Sequence, residues 1–182
     1  MTKAMNLYLI GYRCTGKTTV GKALAQRLGW PFSDMDQLVV ATAGTSIDRM
    51  VAEKGWPYFR EQERRALVSL TAADRQVVAT GGGIVLDARN VRDMRRTGKI
   101  VWLMAAEATI RMRMLTDAST ADNRPPLTGQ GLIDEITTVL AERRPLYQEA
   151  ADITVDTDRE TVAGVCDWIV GDLGLERKTE EE

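Results

Sequence analysis

The sequence contains no histidine, few cysteines and no long apolar run, and each absence excludes a class of protein. The lack of histidine excludes His-based catalytic triads and His-ligated metals, so proton transfer must fall to carboxylates, Lys, Tyr or water. The two cysteines, Cys14 and Cys166, do not make a disulfide framework, which indicates a reducing, cytoplasmic setting. No apolar run approaches the roughly 20 residues that a membrane span needs. The N-terminus leads directly into the first predicted strand, so we expect no signal peptide.

The charge balance gives no sign of a polyanionic partner. The net charge is −2 and no basic stretch stands out, which argues against nucleic acid or an anionic membrane as the main partner. The 182 residues are 44% hydrophobic and 27% charged, which is enough for a single domain, 1–182, with its own core. Because no hydrophobic stripe is left over on the predicted helices, we expect a monomer.

Apolar runs alternate with helical patterns along the chain, and this alternation predicts an α/β fold. The runs are continuously apolar, as in strands that are buried on both faces of a parallel sheet. Right-handed crossovers would then cover both faces, so we expect a three-layer α/β/α domain with a central five-stranded parallel sheet. The predicted strands are Asn6–Ile10, Pro31–Asp34, Gln76–Thr80, Lys99–Met104 and Asp152–Val155. The predicted helices are Lys17–Leu28, Asp36–Thr42, Ser46–Lys54, Pro57–Leu70, Asp87–Arg96, Glu107–Leu115, Gly131–Glu149 and Glu160–Leu173.

Two segments interrupt this alternation. About 40 residues between the second and third predicted strands carry helical patterns only, which predicts a small substrate-binding subdomain at about 34–63. Residues 116–130 are polar and turn-rich, and a loop of this length in a compact domain is usually functional or disordered. In a phosphotransferase, such a loop would be a lid that keeps water away from the γ-phosphate. The charged tail 176–182 is expected to fray.

The most informative stretch is Gly11–Thr18, which fits the phosphate-binding P-loop pattern G-x-x-x-x-G-K-[ST]. Successive backbone N–H groups of such a loop surround the β-phosphate, and the following helix adds roughly half a positive charge. Lys17 can reach the β- and γ-phosphates, and the Thr18 hydroxyl can bind Mg²⁺. Short glycine motifs also occur by chance, but a predicted strand before the loop and a predicted helix after it favour a nucleoside triphosphate site.

Polar and glycine-rich turns follow the second and third predicted strands, at the sheet edge where ligands bind in open α/β folds. Asp34 and Asp36 are one residue apart, so one could face Mg²⁺ and the other the phosphoryl acceptor. Equally, Asp36 could only cap the following helix. The triplet Gly81–Gly83 costs backbone entropy, which suggests close approach of the backbone to a ligand. A flexible turn is the simpler explanation for the triplet taken alone.

Arginines on two predicted helices and in the polar loop are candidates for anion binding. Taken singly, Arg60 and Arg143 fit a solvated helix face with ion pairs three or four residues apart. If both project into the cleft, they form a clamp for an anionic acceptor, because Arg binds carboxylate in a bidentate way. Arg124 is the candidate for a side chain that closes onto the transferring phosphoryl group.

Together these motifs resemble shikimate kinase, of the nucleoside-monophosphate-kinase-like P-loop group. The resemblance runs from about Leu7 to about Val155. It rests on an ordered set of motifs, which are Lys17-Thr18-Thr19-Val20-Gly21, Asp34-x-Asp36, Phe59-Arg60-x-x-Glu63, Gly81-Gly82-Gly83, Arg124-Pro125, Thr128-Gly129 and Arg143-x-Pro145-Leu146-Tyr147. The resemblance implies that ATP phosphorylates the 3-hydroxyl of shikimate, to give 3-phosphoshikimate and ADP.

The resemblance also implies a role for each of these positions. Lys17 contacts the β- and γ-phosphates, Arg124 closes onto them, and Asp36 orients or deprotonates the attacking hydroxyl. Mg²⁺ is held by Thr18 and by Asp34, the latter through water. The implied nucleotide contacts are Gly11, Cys14, Thr15, Gly16, Lys17, Thr18, Thr19, Arg113 and Arg124. The implied shikimate contacts are Asp36, Arg60, Gly81, Gly82, Gly83 and Arg143, with both arginines on the carboxylate. Glu63 would hold an arginine. Arg113 would contact the adenine, and the nearby Arg111 is the alternative residue for that contact.

One departure and two alternatives accompany this assignment. Most members of the family have Gly where this chain has Cys14, and a small residue where it has Thr15. A residue with a Cβ restricts the loop if its φ is positive. The first alternative is another small-molecule kinase of this architecture, such as a gluconate or nucleotide kinase. The second is a nucleotide-binding relative without catalysis.

Overall fold

The computed structural model describes residues 5–116, 131 and 134–175, and it contains one parallel sheet with strand order β2-β3-β1-β4-β5. The strands are β1 (Asn6–Ile10), β2 (Phe32–Asp34), β3 (Val77–Ala79), β4 (Gly98–Met104) and β5 (Ile153–Asp156). The helices are α1 (Lys17–Leu28), α2 (Met35–Ala43), α3 (Ile47–Leu70), α4 (Ala88–Thr97), α5 (Glu107–Thr116), α6 (Ile136–Ala150) and α7 (Val162–Asp172). The predicted five-stranded α/β/α architecture is therefore confirmed.

The central strand β1 explains why its sequence is apolar throughout. All five of its residues are buried, because helices cover both faces of the sheet. Leu7 and Leu9 join a core cluster with side chains of α1 and α7. Tyr8 and Ile10 point to the opposite face, into a cluster with side chains of α2, α3, α4 and α6. Each such side chain stabilises the fold by about 1.5–3 kcal/mol. A polar substitution on either face of β1 would therefore lower the stability of the fold.

The carboxyl ends of three neighbouring strands lie level with one another. Parallel pairing sets Leu9 opposite Ala79 and Ala79 opposite Asp34. The Thr80 N–H and hydroxyl both donate to the Leu9 carbonyl, at 3.1 and 2.9 Å, which extends the alignment by one residue. The P-loop after β1, the start of α2 after β2 and the glycine turn (residues 81–83) after β3 therefore emerge side by side.

The structure confirms one predicted helix break and corrects one predicted helix start. α3 departs from helical geometry at Gly55 (φ 80°, ψ 167°), so the two predicted helices, Ser46–Lys54 and Pro57–Leu70, correspond to its two halves. α6 begins at Ile136 and not at the predicted Gly131, because the N–H groups of residues 134 and 135 donate to the Gly131 carbonyl in a turn that precedes the helix. Among the helices that the structure describes, none is long and apolar enough to cross a membrane.

Candidate active site

A cavity of about 670 Å³ opens at the carboxyl ends of β1, β2 and β3. Twelve of the candidate residues line it, namely Cys14, Gly16, Lys17, Thr18, Thr19, Asp34, Asp36, Arg60, Gly81, Gly82, Gly83 and Arg143. Gly11 is not among the residues that line this cavity, whereas Thr15 and Arg113 line a second cavity described below. Arg124 lies outside the described residues. The structure thus brings the predicted phosphate-binding and acceptor-binding residues together in one space.

The P-loop is held in shape by its own residues. Gly11 has φ +141°, and a Cβ there would lie 2.3 Å from the backbone oxygen of Leu103. Gly16, with φ 93°, caps the start of α1. The Lys17 ammonium donates to the carbonyls of Gly11 and Tyr12 at 2.8 and 2.7 Å. Because these carbonyls surround the ammonium, Lys17 stays folded over the loop, where the phosphates of a nucleotide would lie.

The two unusual residues of the P-loop differ in their structural cost. Cys14 has φ 58°, the left-handed region that Gly adopts most easily. Because this φ is positive, the Cβ of Cys14 restricts the conformation of the loop. Thr15 is buried, and its hydroxyl donates to the Tyr12 carbonyl at 2.9 Å. Its side chain therefore braces the loop, and any phosphate contact from Thr15 would come from its backbone N–H.

Asp34 connects the P-loop to α2. The Thr18 hydroxyl donates to its Oδ2 at 2.8 Å, and its Oδ1 accepts from the backbone N–H of Asp36 at 3.1 Å. Asp34 is therefore the N-cap of α2. The alternative that Asp36 only caps this helix is wrong, since the preceding carboxylate takes that role and Asp36 lines the cavity.

Thr18 and Asp34 offer the oxygen donors that Mg²⁺ prefers. Mg²⁺ is usually bound by one or two protein ligands together with phosphates and water, and not by a complete cage of side chains. Within the described residues, no group of three or more His, Cys, Asp and Glu could hold a metal ion. The donor set therefore fits an ion that arrives with the nucleotide.

Arg60 is fixed at the acceptor side by a buried carboxylate and by aromatic rings. Its Nη1 donates to Glu63 Oε2 at 2.7 Å, and its guanidinium lies 5.3 and 5.2 Å from the ring centroids of Trp56 and Phe59. Burial raises the pKa of Glu63 from its ordinary value, although the Arg60 charge acts in the opposite direction. The resemblance-based expectation that Glu63 holds an arginine agrees with this contact.

The glycine turn is an ordered turn that side chains of α3 approach closely. None of its three residues has a positive φ, and the N–H of Ile84 donates to the Gly81 carbonyl at 3.1 Å. A Cβ on Gly81 would lie 2.2 Å from Glu63 Oε1, and one on Gly83 would lie 2.2 Å from Arg60 Nη2. Protein side chains thus approach the backbone closely at Gly81 and Gly83, which accounts for glycine there without a ligand, whereas a Cβ on Gly82 would have its nearest neighbour at an ordinary 3.5 Å.

Two residues near the cavity were missed or undervalued by sequence reasoning. Arg13 is buried, lines the cavity and forms an ion pair with the buried Glu135, Nη1 to Oε1, at 3.5 Å. It occupies a free position of the P-loop pattern, so the motif carries no signal for it. Tyr147, to which the sequence assigns no role beyond membership of the motif that starts at Arg143, donates its hydroxyl to the Gly82 carbonyl.

A second cavity, of about 580 Å³, lies behind the P-loop between α1, α5 and α7. Arg113 lines it and donates through Nη1 to the Cys14 carbonyl at 3.1 Å and to Thr157 Oγ1 at 3.3 Å. Arg111 instead pairs with Glu107 at 3.1 Å and does not line the cavity. Of these two arginines, only Arg113 lines the cavity beside the P-loop.

Comparison with known proteins agrees with this geometry. A protein-family model described as shikimate kinase matches residues 13–173. A shikimate kinase of Syntrophus aciditrophicus (strain SB) is 42% identical over 173 residues, which cover 91% of this chain and 89% of the relative. One of Nitratidesulfovibrio vulgaris is 44% identical over 157 residues, which cover 86% and 89%. The solved structure of shikimate kinase from Acinetobacter baumannii in complex with shikimate superposes with a TM-score of 0.86 at 31% identity, covering 94% of this chain and 93% of the other.

Proposed function

Since the chain belongs to the shikimate kinase family, we propose that it transfers the γ-phosphoryl group of ATP to the 3-hydroxyl of shikimate. One observation supports the roles proposed for individual residues. The P-loop Lys17, the carboxylate of Asp36 and the two arginines, Arg60 and Arg143, line the same cavity. Phosphoryl transfer depends on positioning and on charge stabilisation, so donor and acceptor groups must share one space from which water can be excluded.

The donor side of the proposed site is the P-loop. Its backbone N–H groups and the N-terminus of α1 bind the β-phosphate, and Lys17 exchanges the carbonyls of Gly11 and Tyr12 for the β- and γ-phosphates. Thr18 would hold Mg²⁺ directly and Asp34 would hold it through water. Bound there, the ion neutralises charge on the phosphate oxygens. Arg113 lies beside the adenine in the second cavity, and the role that the resemblance implies for Arg124, which lies outside the described residues, is contact with the phosphates.

The acceptor side consists of α3, the glycine turn and α6. Arg60 and Arg143 bind the carboxylate of shikimate, since guanidinium groups match carboxylates in geometry and charge. Asp36 binds the ring hydroxyls and orients the attacking one. A loose transition state requires little early deprotonation, so orientation is the larger part of its role. The backbone of the glycine turn contacts the remaining hydroxyls.

The two alternatives account less well for this cavity. Gluconate and nucleotide kinases share the architecture, but a nucleobase acceptor needs a larger pocket with donors for base edges, and the family match is to shikimate kinase. A relative without catalysis would not need Lys17, Thr18, Asp34 and Asp36 to converge on one cavity. The proposed enzyme acts in the cytoplasm as a monomer on two small molecules, without nucleic acid or membrane.

The experiment that tests this function is a coupled ADP-release assay with shikimate, gluconate and nucleoside monophosphates measured side by side. We expect ADP release that depends on shikimate and on Mg²⁺, with the other acceptors at the background rate. ADP release that depends on gluconate or a nucleotide and not on shikimate would overturn the proposal. Acceptor-independent ADP release alone would show a hydrolase and would overturn it as well.

A further inference from the structure

One carbonyl oxygen of the glycine turn is held by two donors from the same helix. Arg143 Nη1 donates to the Gly82 oxygen at 3.1 Å, and the Tyr147 hydroxyl donates to the same oxygen. Residues four apart lie on one face of a helix, so α6 presents both groups to the glycine turn together. The charged donor belongs to the proposed acceptor site, whereas the neutral donor has no role in the chemistry described above.

The tyrosine ring is fixed independently of its hydroxyl. Tyr147 is 1% exposed, and its ring stacks on Trp102 of β4 with centroids 5.8 Å apart and an interplanar angle of 27°. Burial raises the pKa of Tyr147 to about 12, so the phenol keeps its proton at neutral pH and can donate it to a carbonyl. Packing therefore sets the ring, and the hydroxyl transmits that fixed position to Gly82.

The Gly82 carbonyl sets the direction of the next amide. The peptide group is planar, so a hydrogen bond to its oxygen also fixes the N–H of Gly83 at the other end of the plane. Gly83 is the residue whose Cβ would lie 2.2 Å from Arg60 Nη2. A rotation of this peptide would therefore move backbone that packs on one proposed carboxylate-binding arginine, and it would remove one hydrogen-bond partner of the other, Arg143.

We propose that Tyr147 is a positioning residue of the acceptor site, because its hydroxyl fixes the Gly82–Gly83 peptide between Arg60 and Arg143. The inference rests on the proposed function, in which these two arginines bind the acceptor carboxylate. Loss of the hydroxyl leaves the ring stacked and the fold intact, but it lets the peptide and the two guanidinium groups depart from the geometry that a carboxylate needs.

The test is Tyr147→Phe, measured beside a matched control, Tyr8→Phe. Tyr8 is also fully buried, its hydroxyl is hydrogen-bonded to Thr97 Oγ1 at 2.7 Å, and it does not line the cavity. Each substitution removes one buried hydroxyl and its hydrogen bonds, so both variants should lose similar stability. We expect Tyr147→Phe to raise the KM for shikimate by about three- to tenfold with the KM for ATP unchanged. Tyr8→Phe should change neither.

A second measurement keeps the test independent of turnover. Saturating shikimate should raise the melting temperature of Tyr147→Phe by less than that of wild type and of Tyr8→Phe, because weaker binding gives less stabilisation. Suppose that the wild type turns over shikimate, and that Tyr147→Phe has the same shikimate KM and the same ligand-induced rise in melting temperature as Tyr8→Phe. The positioning role is then wrong, while the proposed function stands. If the wild type does not turn over shikimate, the proposed function fails, and the positioning role fails with it.

Discussion

The P-loop and the glycine turn follow neighbouring strands, yet they need glycine for different physical reasons. Gly11 and Gly16 of the P-loop have φ values of 141° and 93°, which side chains rarely tolerate. No residue of the glycine turn has a positive φ. A Cβ at Gly81 or Gly83 would instead collide with a side chain of α3. In the P-loop the backbone conformation favours glycine, and in the glycine turn the side chains packed around two of the three positions favour it.

The two loops are also held in different ways. Within the P-loop, Lys17 and Thr15 donate to the carbonyls of Gly11 and Tyr12, so most of its bracing comes from residues a few positions away. The glycine turn is held by side chains of α3 and α6 that come from distant parts of the sequence. Most of the hydrogen bonds that hold the donor loop are thus local, whereas the acceptor loop also depends on donors from a helix that is distant in the sequence.

The largest effect is expected at Gly11, where conformation and space both exclude a side chain. Gly11→Ala places a Cβ 2.3 Å from the Leu103 backbone oxygen at φ +141°, and backbone cannot move aside as a side chain can. We expect the free energy of unfolding to fall by about 3 kcal/mol or more, as measured by urea denaturation. The control is Gly44→Ala, which has φ +66° and nothing within 4 Å, and which should cost about 1 kcal/mol. Equal losses in the two variants would mean that conformation alone makes Gly11 necessary.

A smaller effect of the opposite sign is expected at Cys14. Cys14→Gly relieves the left-handed φ of 58°, and after the entropy cost of glycine in the unfolded chain we expect a gain of about 0.5–1 kcal/mol. The control, Arg75→Gly, relieves a φ of 54° at an exposed turn and should give a similar gain. Only Cys14→Gly should also change the KM for ATP. A loss of stability in Cys14→Gly, or an altered ATP KM in Arg75→Gly, would contradict this account of the P-loop.

The smallest effect is a change in pH dependence at Glu63, which packs against the glycine turn. Burial raises the pKa of this carboxyl above its ordinary 4.5, so the folded protein binds the proton more tightly than the unfolded chain. Its contribution to stability is complete below pH 4.5 and is lost as the pH rises through the folded pKa. Glu63→Gln cannot ionise, so its stability relative to wild type should increase as the pH rises above 4.5. The measurement is urea denaturation of both proteins at each pH. Free energies of unfolding that differ by the same amount at every pH would show that the Arg60 charge cancels the effect of burial on the Glu63 pKa.

What could be predicted from the sequence follows the same division between local and distant contacts. β1 and the P-loop were predictable because apolar runs and glycine spacing are local signals, and the two halves of α3 were predicted as separate helices from their local helical patterns. The ion pair between Arg13 and Glu135 joins two residues far apart in the sequence, and no local pattern marks either one.

In the glycine turn, the motif was recognised correctly from the sequence, but the physical reason for its glycines was not. The sequence suggested close approach of the backbone to a ligand, and the structure shows close approach of Arg60 and Glu63. Likewise Asp34 and Asp36 were recognised as a pair, but only the hydrogen bonds show that Asp34 is the helix cap. The chemistry of such residues depends on which side chains meet in space, and spacing along the chain does not determine this.

The division into a donor loop and an acceptor loop is best tested by the two KM values of Gly83→Ala. The new Cβ would meet the end of the flexible Arg60 side chain, so the fold should persist while the guanidinium moves away from its position over the cavity. We predict that the KM for shikimate rises by about tenfold or more, because one arm of the carboxylate clamp is displaced, while the KM for ATP stays within about twofold of wild type. A Gly83→Ala enzyme whose ATP KM rises as much as its shikimate KM, or whose shikimate KM is unchanged, would contradict the division.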